Sequence, residues 1–86
     1  MDVVIKSGVR EYVVESSVID NNILHAKYRI EKGPNYQKNL SAFYELRERH
    51  AVCIIDDINH DVRLISYNSI VDYKEMQLVD ITVALA

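Results

Sequence analysis

Short, mostly apolar runs occur at three places along the chain. Those at residues 3–5 and 51–55 are uninterrupted and are followed by polar residues, and the run at residues 81–85 contains one polar residue, Thr82. Uninterrupted runs of this length are typical of strands that are buried on both faces, as in parallel sheets. The pattern therefore predicts strands near residues 2–6, 51–56 and 79–85.

A helical spacing of apolar residues follows the first strand. Four of them fall at i, i+4, i+7 and i+11, which places them on one helix face: Ile19, Ile23, Ala26 and Ile30. Ser16 and Ser17 are favourable N-cap residues before this stretch, and Gly33-Pro34 is typical of a helix end after it. We therefore predict a helix near residues 17–31.

A second amphipathic helix is predicted near residues 36–49. At about 100° per residue, four apolar side chains share one side: Tyr36, Leu40, Phe43 and Leu46. The opposite side carries Ser41, Glu45 and Glu48, with Tyr44 at the boundary. By itself, this polar side is typical of a solvated helix surface.

The segment at residues 61–76 fits no single helix. Val62, Ile65, Tyr73 and Met76 share a helical face, whereas Leu64 and Val71 do not. Two short helices at an angle would accommodate both sets. Strands that alternate with helical crossovers predict an α/β fold with a parallel sheet, in a single domain over residues 1–86.

Residues 36–45 resemble the signature of the barstar family of ribonuclease inhibitors. Four positions match that signature directly: Tyr36, Asn39, Leu40 and Ala42. Phe43, Tyr44 and Glu45 are similar replacements, and residues 80–86 are similar to the last strand of the family. Ser41 and Glu45 stand where the family has its two inhibitory aspartates. The resemblance implies a three-stranded parallel sheet packed by three to four helices.

The same resemblance implies a function and a binding site. The chain would be an antitoxin or immunity protein that blocks the active site of a basic microbial ribonuclease or toxin domain. The residues implied to contact that partner are Asn35, Tyr36, Asn39, Leu40, Ser41, Tyr44, Glu45 and Glu48. Alternatively, the chain is an interaction or regulatory module with a non-ribonuclease protein partner. Without the resemblance, the charged helix side would be an ordinary solvated surface.

Charge and composition indicate which class of partner and which cellular compartment to expect. The formal net charge is −3, which disfavours a nucleic-acid backbone and suits a basic protein. One cysteine cannot form an internal disulfide, which favours a reducing compartment. No apolar run approaches the ~20 residues of a membrane span, and the first residues do not resemble a signal peptide. We therefore expect a cytoplasmic protein that binds no membrane.

Catalytic and metal-binding residues are not indicated. Cys53 lies within an apolar run and is expected to be an inert buried thiol. His60 lies near three aspartates, but without the ligand spacing of a structural metal site, so a polar turn is expected: Asp56, Asp57 and Asp61. We predict no enzyme activity, no metal and no cofactor. Besides the inhibitor and the interaction module, the third class considered is a small hydrolase that uses Cys53 or a His/Asp pair.

Overall fold

The computed structural model describes residues 2–86, with the side chains of Ser16 and Ser17 outside the description. In this part of the chain, a single α-helix, α1 (Tyr36–Glu45), continues into one 3₁₀ turn, Leu46–Glu48. The strands, in chain order, are β1 (Val3–Ser7), β2 (Arg10–Val13), β3 (Ser16–Asp20), β4 (Ile23–Glu31), β5 (Val52–Ile55), β6 (Ile58–Asp72) and β7 (Met76–Leu85). The protein is therefore mostly β-structure.

The strands form one seven-stranded sheet in the order β2-β1-β5-β6-β7-β4-β3, and every neighbouring pair is antiparallel. The edge strands β2 and β3 are consecutive and are joined by only Val14 and Glu15. Because three peptide units span at most about 11 Å, the two edges meet at this corner. The Val14 N–H donates to the Val3 carbonyl at 3.3 Å, and the Glu15 N–H donates to the Lys27 carbonyl at 3.0 Å. The sheet therefore curls into an open barrel.

The predicted α/β fold with a three-stranded parallel sheet is wrong. Strands do occur at the three predicted places, as β1, β5 and β7, but they belong to an antiparallel sheet. Antiparallel neighbours need only two-residue turns, whereas parallel ones need a helical crossover. Three such turns are present, at Gly8-Val9, Asn21-Asn22 and Asp56-Asp57. The barstar-like architecture implied by the resemblance is therefore absent.

The predicted helix at 17–31 is a β-hairpin, and this is the largest single correction. Asn21 and Asn22 both have positive φ, 51° and 61°, as the tight turn of a two-residue hairpin requires. Ser16 and Ser17 begin β3 instead of capping a helix. Along β4, buried or half-buried Leu24, Ala26, Tyr28 and Ile30 alternate with exposed His25, Lys27, Arg29 and Glu31. This period of two, and not the helical spacing, decides the structure.

The two short helices predicted within 61–76 are also absent. Strand β6 covers most of this segment and pairs first with β5 and then with β7. Its register shifts twice, between Val62 and Leu64 and between Tyr67 and Ser69. Such bulges bend a strand and change which side chains face inward, so a regular pattern is not visible in the sequence.

The predicted helix at 36–49 is confirmed as α1 and the 3₁₀ turn that follows. Its inward side fills the curled sheet, and Phe43 is fully buried there with an exposed fraction of 0%. Around the Phe43 ring lie four tyrosine rings, with centroids 4.4 to 5.9 Å away: Tyr12, Tyr28, Tyr44 and Tyr67. The helix is thus held by an aromatic cluster that joins Phe43 and Tyr44 of α1 to one tyrosine each from β2, β4 and β6.

Candidate functional site

The residues predicted to contact a partner divide into two groups. Five are exposed: Asn35, Asn39, Ser41, Glu45 and Glu48. The other three are half-buried and pack against the core: Tyr36, Leu40 and Tyr44. The eight side chains therefore differ in how much surface each can offer to a partner.

Tyr44 belongs mainly to the interior. Its ring packs edge-on against the ring of Tyr67, with centroids 5.1 Å apart, and against Phe43 at 5.9 Å. Burial raises the pKa of the Tyr44 phenol, and the nearby Tyr36 raises it further. The Tyr67 hydroxyl donates to the Phe43 carbonyl at 2.6 Å. Tyr44 therefore offers a partner only part of its ring.

Ser41 and Glu45 line a cleft of about 520 Å³ between α1 and the β1–β2 hairpin, which we name the helix–hairpin cleft. The hairpin contributes one wall, with residues 7–10 and Tyr12. The helix side of the cleft is lined by Lys38, Ser41, Ala42, Glu45 and Arg49. None of the hairpin residues was predicted to be functional.

Two hydrogen bonds hold the hairpin against the helical segment. The Tyr12 hydroxyl donates to the Ala42 carbonyl at 3.4 Å, and the Ser7 hydroxyl donates to the His50 carbonyl at 3.0 Å. Gly8 has φ of 61°, the left-handed conformation that this tight turn needs and that glycine adopts at little cost. The turn places Val9 at the tip with an exposed fraction of 98%. An apolar side chain therefore stands free at the rim of the cleft.

Cations outnumber carboxylates in the helix–hairpin cleft. Arg10, Lys38 and Arg49 carry three positive charges and Glu45 one negative charge, a net of +2. Glu45 is already paired, since its Oε2 accepts a hydrogen bond from Arg49 Nη2 at 2.9 Å. Among the residues described, neither Arg10 nor Lys38 has a salt-bridge partner. The cleft is thus locally basic in a chain whose net charge is −3.

A second concavity lies on the outer face of the sheet, the face away from α1, and we name it the outer groove. His25, Lys27 and Asp80 contribute to it, beside the exposed Val18 of the edge strand. Two of its polar side chains, those of Asn68 and Asp80, hydrogen-bond to neighbouring residues. Asn68 Nδ2 donates to Thr82 Oγ1 at 2.6 Å, and Ser69 Oγ donates to Asp80 Oδ2 at 2.8 Å. The formal charges of Lys27 and Asp80 sum to zero, whereas those that line the helix–hairpin cleft sum to +2.

The other residues considered for chemistry are dispersed. Cys53 is fully buried, and burial raises its thiol pKa to about 11, so the thiol is protonated at neutral pH. His25 lies on the outer face of β4, whereas His60 lies opposite Cys53 in the pairing of β5 with β6. Within residues 2–86, no three side chains of the metal-ligating types His, Cys, Asp and Glu come together. In the same residues, no helix has the length and apolar character needed to cross a membrane.

Comparison of the chain with protein-family models, with characterised proteins and with solved structures finds no match. The resemblance of residues 36–45 to the barstar signature stays a prediction about those residues. The structure adds that this helix lies beside the β1–β2 hairpin of the same chain.

Proposed function

We propose that this protein is a non-catalytic module that binds another protein through the helix–hairpin cleft and the exposed side of α1. The observation that carries the proposal is the cleft itself. There Arg10 and Lys38, which have no ion-pair partner within the described part of the chain, lie beside the exposed Val9 side chain. Exposed cations next to an exposed apolar side chain suit an interface that joins charge recognition to apolar contact.

The rigidity of both walls supports this role. The helix wall is anchored by Phe43 at the centre of the aromatic cluster. The hairpin wall is anchored by Tyr12, which packs on Phe43 and donates to the Ala42 carbonyl. A binding surface whose walls are fixed before the partner arrives loses less conformational entropy on association. The cleft is therefore well suited to recognition without a large rearrangement.

Site-specific photo-cross-linking tests this proposal. A photoreactive residue at position 9 should form a covalent adduct with a defined protein partner in extracts of the source cells. The matched control is the same residue at position 18, because Val18 is also an exposed valine, at 65%, but lies on the outer face at β3. Adducts that form equally at both positions, or only at position 18, would contradict the proposed surface.

Inhibition of a basic ribonuclease is the second candidate function, and one observation favours it. Glu45 and Glu48 are both exposed and lie three residues apart, so they lie on neighbouring positions of the helical surface. Paired carboxylates of this kind can take the place of RNA phosphates in a basic active site. The Glu45–Arg49 ion pair would then open, which costs little because both side chains are more than half exposed, at 57% and 64%.

We expect, under this second candidate, that the protein slows cleavage of a fluorogenic RNA by one member of a panel of basic microbial ribonucleases. Glu45→Ala should then raise the inhibition constant about 30-fold, the equivalent of ~2 kcal/mol for a central interface charge. Asp61→Ala is the control, because Asp61 is an exposed carboxylate of β6 and lies outside the turns with positive φ. Unchanged cleavage by every enzyme of the panel would remove this candidate and leave the first one standing.

A further inference from the structure

We infer that the helix–hairpin cleft recognises an acidic peptide segment of its partner, with carboxylate side chains between Arg10 and Lys38. This inference rests on the proposed function, because it names the chemistry of the partner at the same surface. The partner segment is then acidic, whereas the sequence predicted a basic partner. The reversal arises because the hairpin brings Arg10 opposite the helix, 28 positions before Lys38 in the chain.

The charges on the two walls carry the argument. Arg10 belongs to β2 and Lys38 to α1, so cations approach a ligand from both sides of the cleft. Neither has an ion-pair partner among the described residues, so neither must give up an existing interaction to bind a carboxylate. Arg49 adds a third cation, and its bond to Glu45 uses one nitrogen, which leaves other guanidinium donors available.

The surroundings of these cations favour an acidic peptide over a nucleic acid as the ligand. The Ser41 side chain is exposed in the cleft and can donate a hydrogen bond to a ligand oxygen. Val9 at the rim offers apolar contact, which a peptide side chain can use. A nucleic acid would need a basic face that extends along its backbone, and the chain as a whole has a net charge of −3. The basic region is local, which suits two or three carboxylates.

Nuclear magnetic resonance titration of the ¹⁵N-labelled chain with a pentaglutamate peptide tests the inference. We expect saturable shifts of backbone amides in residues 7–12 and 38–49, which weaken as salt rises from low to physiological concentration. Lys38→Glu should reduce the affinity at least tenfold. Lys27→Glu is the matched control: Lys27 is an exposed lysine of the outer groove, so the change in net charge is identical but the cleft is untouched.

Pentalysine and a six-nucleotide RNA are titrated in parallel. If Lys38→Glu and Lys27→Glu weaken pentaglutamate binding equally, the binding depends only on the net charge of the chain. That result would overturn the inference. Absence of pentaglutamate binding, or tighter binding of pentalysine or RNA at the cleft, would overturn it as well. If cross-linking from position 9 still captures a partner in those cases, the proposed function stands and only the acidic assignment fails. If cross-linking fails too, the surface itself is wrong.

Discussion

Replacement of Phe43 by alanine is expected to remove most of the free energy of unfolding at 25 °C. Phe43 is fully buried and touches four tyrosine rings, and its stacked contact with Tyr28 has ring centroids 4.4 Å apart. Loss of such a ring typically costs ~3–5 kcal/mol. Small domains have stabilities near the lower end of ~5–15 kcal/mol, so this loss approaches the whole free energy of unfolding.

Urea denaturation followed by circular dichroism measures the effect of Phe43→Ala. Glu48→Ala is the control, since Glu48 is an exposed residue that follows the same helix, and its loss should change the stability by no more than ~0.5 kcal/mol. A decrease of less than about 1 kcal/mol for Phe43→Ala would show that α1 does not fill the curled sheet. The helix–hairpin cleft would then lose its structural basis.

Leu24→Ala is expected to cost ~2–5 kcal/mol, whereas Ile19→Ala is expected to cost roughly 1 kcal/mol or less. Leu24 has an exposed fraction of 0% and lies between β7 and β3, whereas Ile19 belongs to the edge strand and is 36% exposed. A helix at 17–31 predicts the opposite order, because its buried face contains Ile19 and excludes Leu24. The same urea experiment compares the two variants, and a larger loss for Ile19→Ala would contradict β4 as a central strand.

The sequence predicted individual elements better than their arrangement. The helix at 36–49 was recognisable because Leu40, Phe43 and Leu46 have helical spacing. The segments at 51–55 and 81–85 were recognisable as strands because apolar residues are concentrated over a length that is typical of a strand. Such runs favoured a parallel sheet, but a run of apolar residues does not fix the direction of the neighbouring strands, and here the neighbours are antiparallel.

The hairpins carried a signal that the helical spacing obscured. Asn21-Asn22 and Asp56-Asp57 are pairs of residues that tolerate positive φ, and all four adopt it, between 47° and 68°. Each pair lies between apolar stretches, which is typical of a two-residue β-turn. Alternation from Leu24 to Glu31 pointed to a strand as well. Ile19, Ile23, Ala26 and Ile30 happened to satisfy the helical spacing at the same time.

The sequence predicted the helix wall of the candidate site but not the hairpin wall. Helical periodicity placed Ser41 and Glu45 on the outward side of α1, where the structure also has them. The hairpin wall was not predictable, because Arg10 and Lys38 meet only through the curling of the sheet. The periodicity placed Tyr44 at the boundary and the resemblance implied a contact with a partner, whereas the structure packs its ring against Tyr67 of β6.

All of these proposals depend on the antiparallel pairing that brings the hairpin and the helix together. The most direct measurement is a nuclear Overhauser spectrum of the backbone, because facing residues of antiparallel strands bring their Hα atoms close at alternate positions. We expect Hα–Hα contacts between β4 and β7 in the register that pairs Leu24 with Val83 and Ile30 with Gln77. Helical contacts between residues three apart across 17–31, without those cross-strand contacts, would contradict the fold and the cleft built on it.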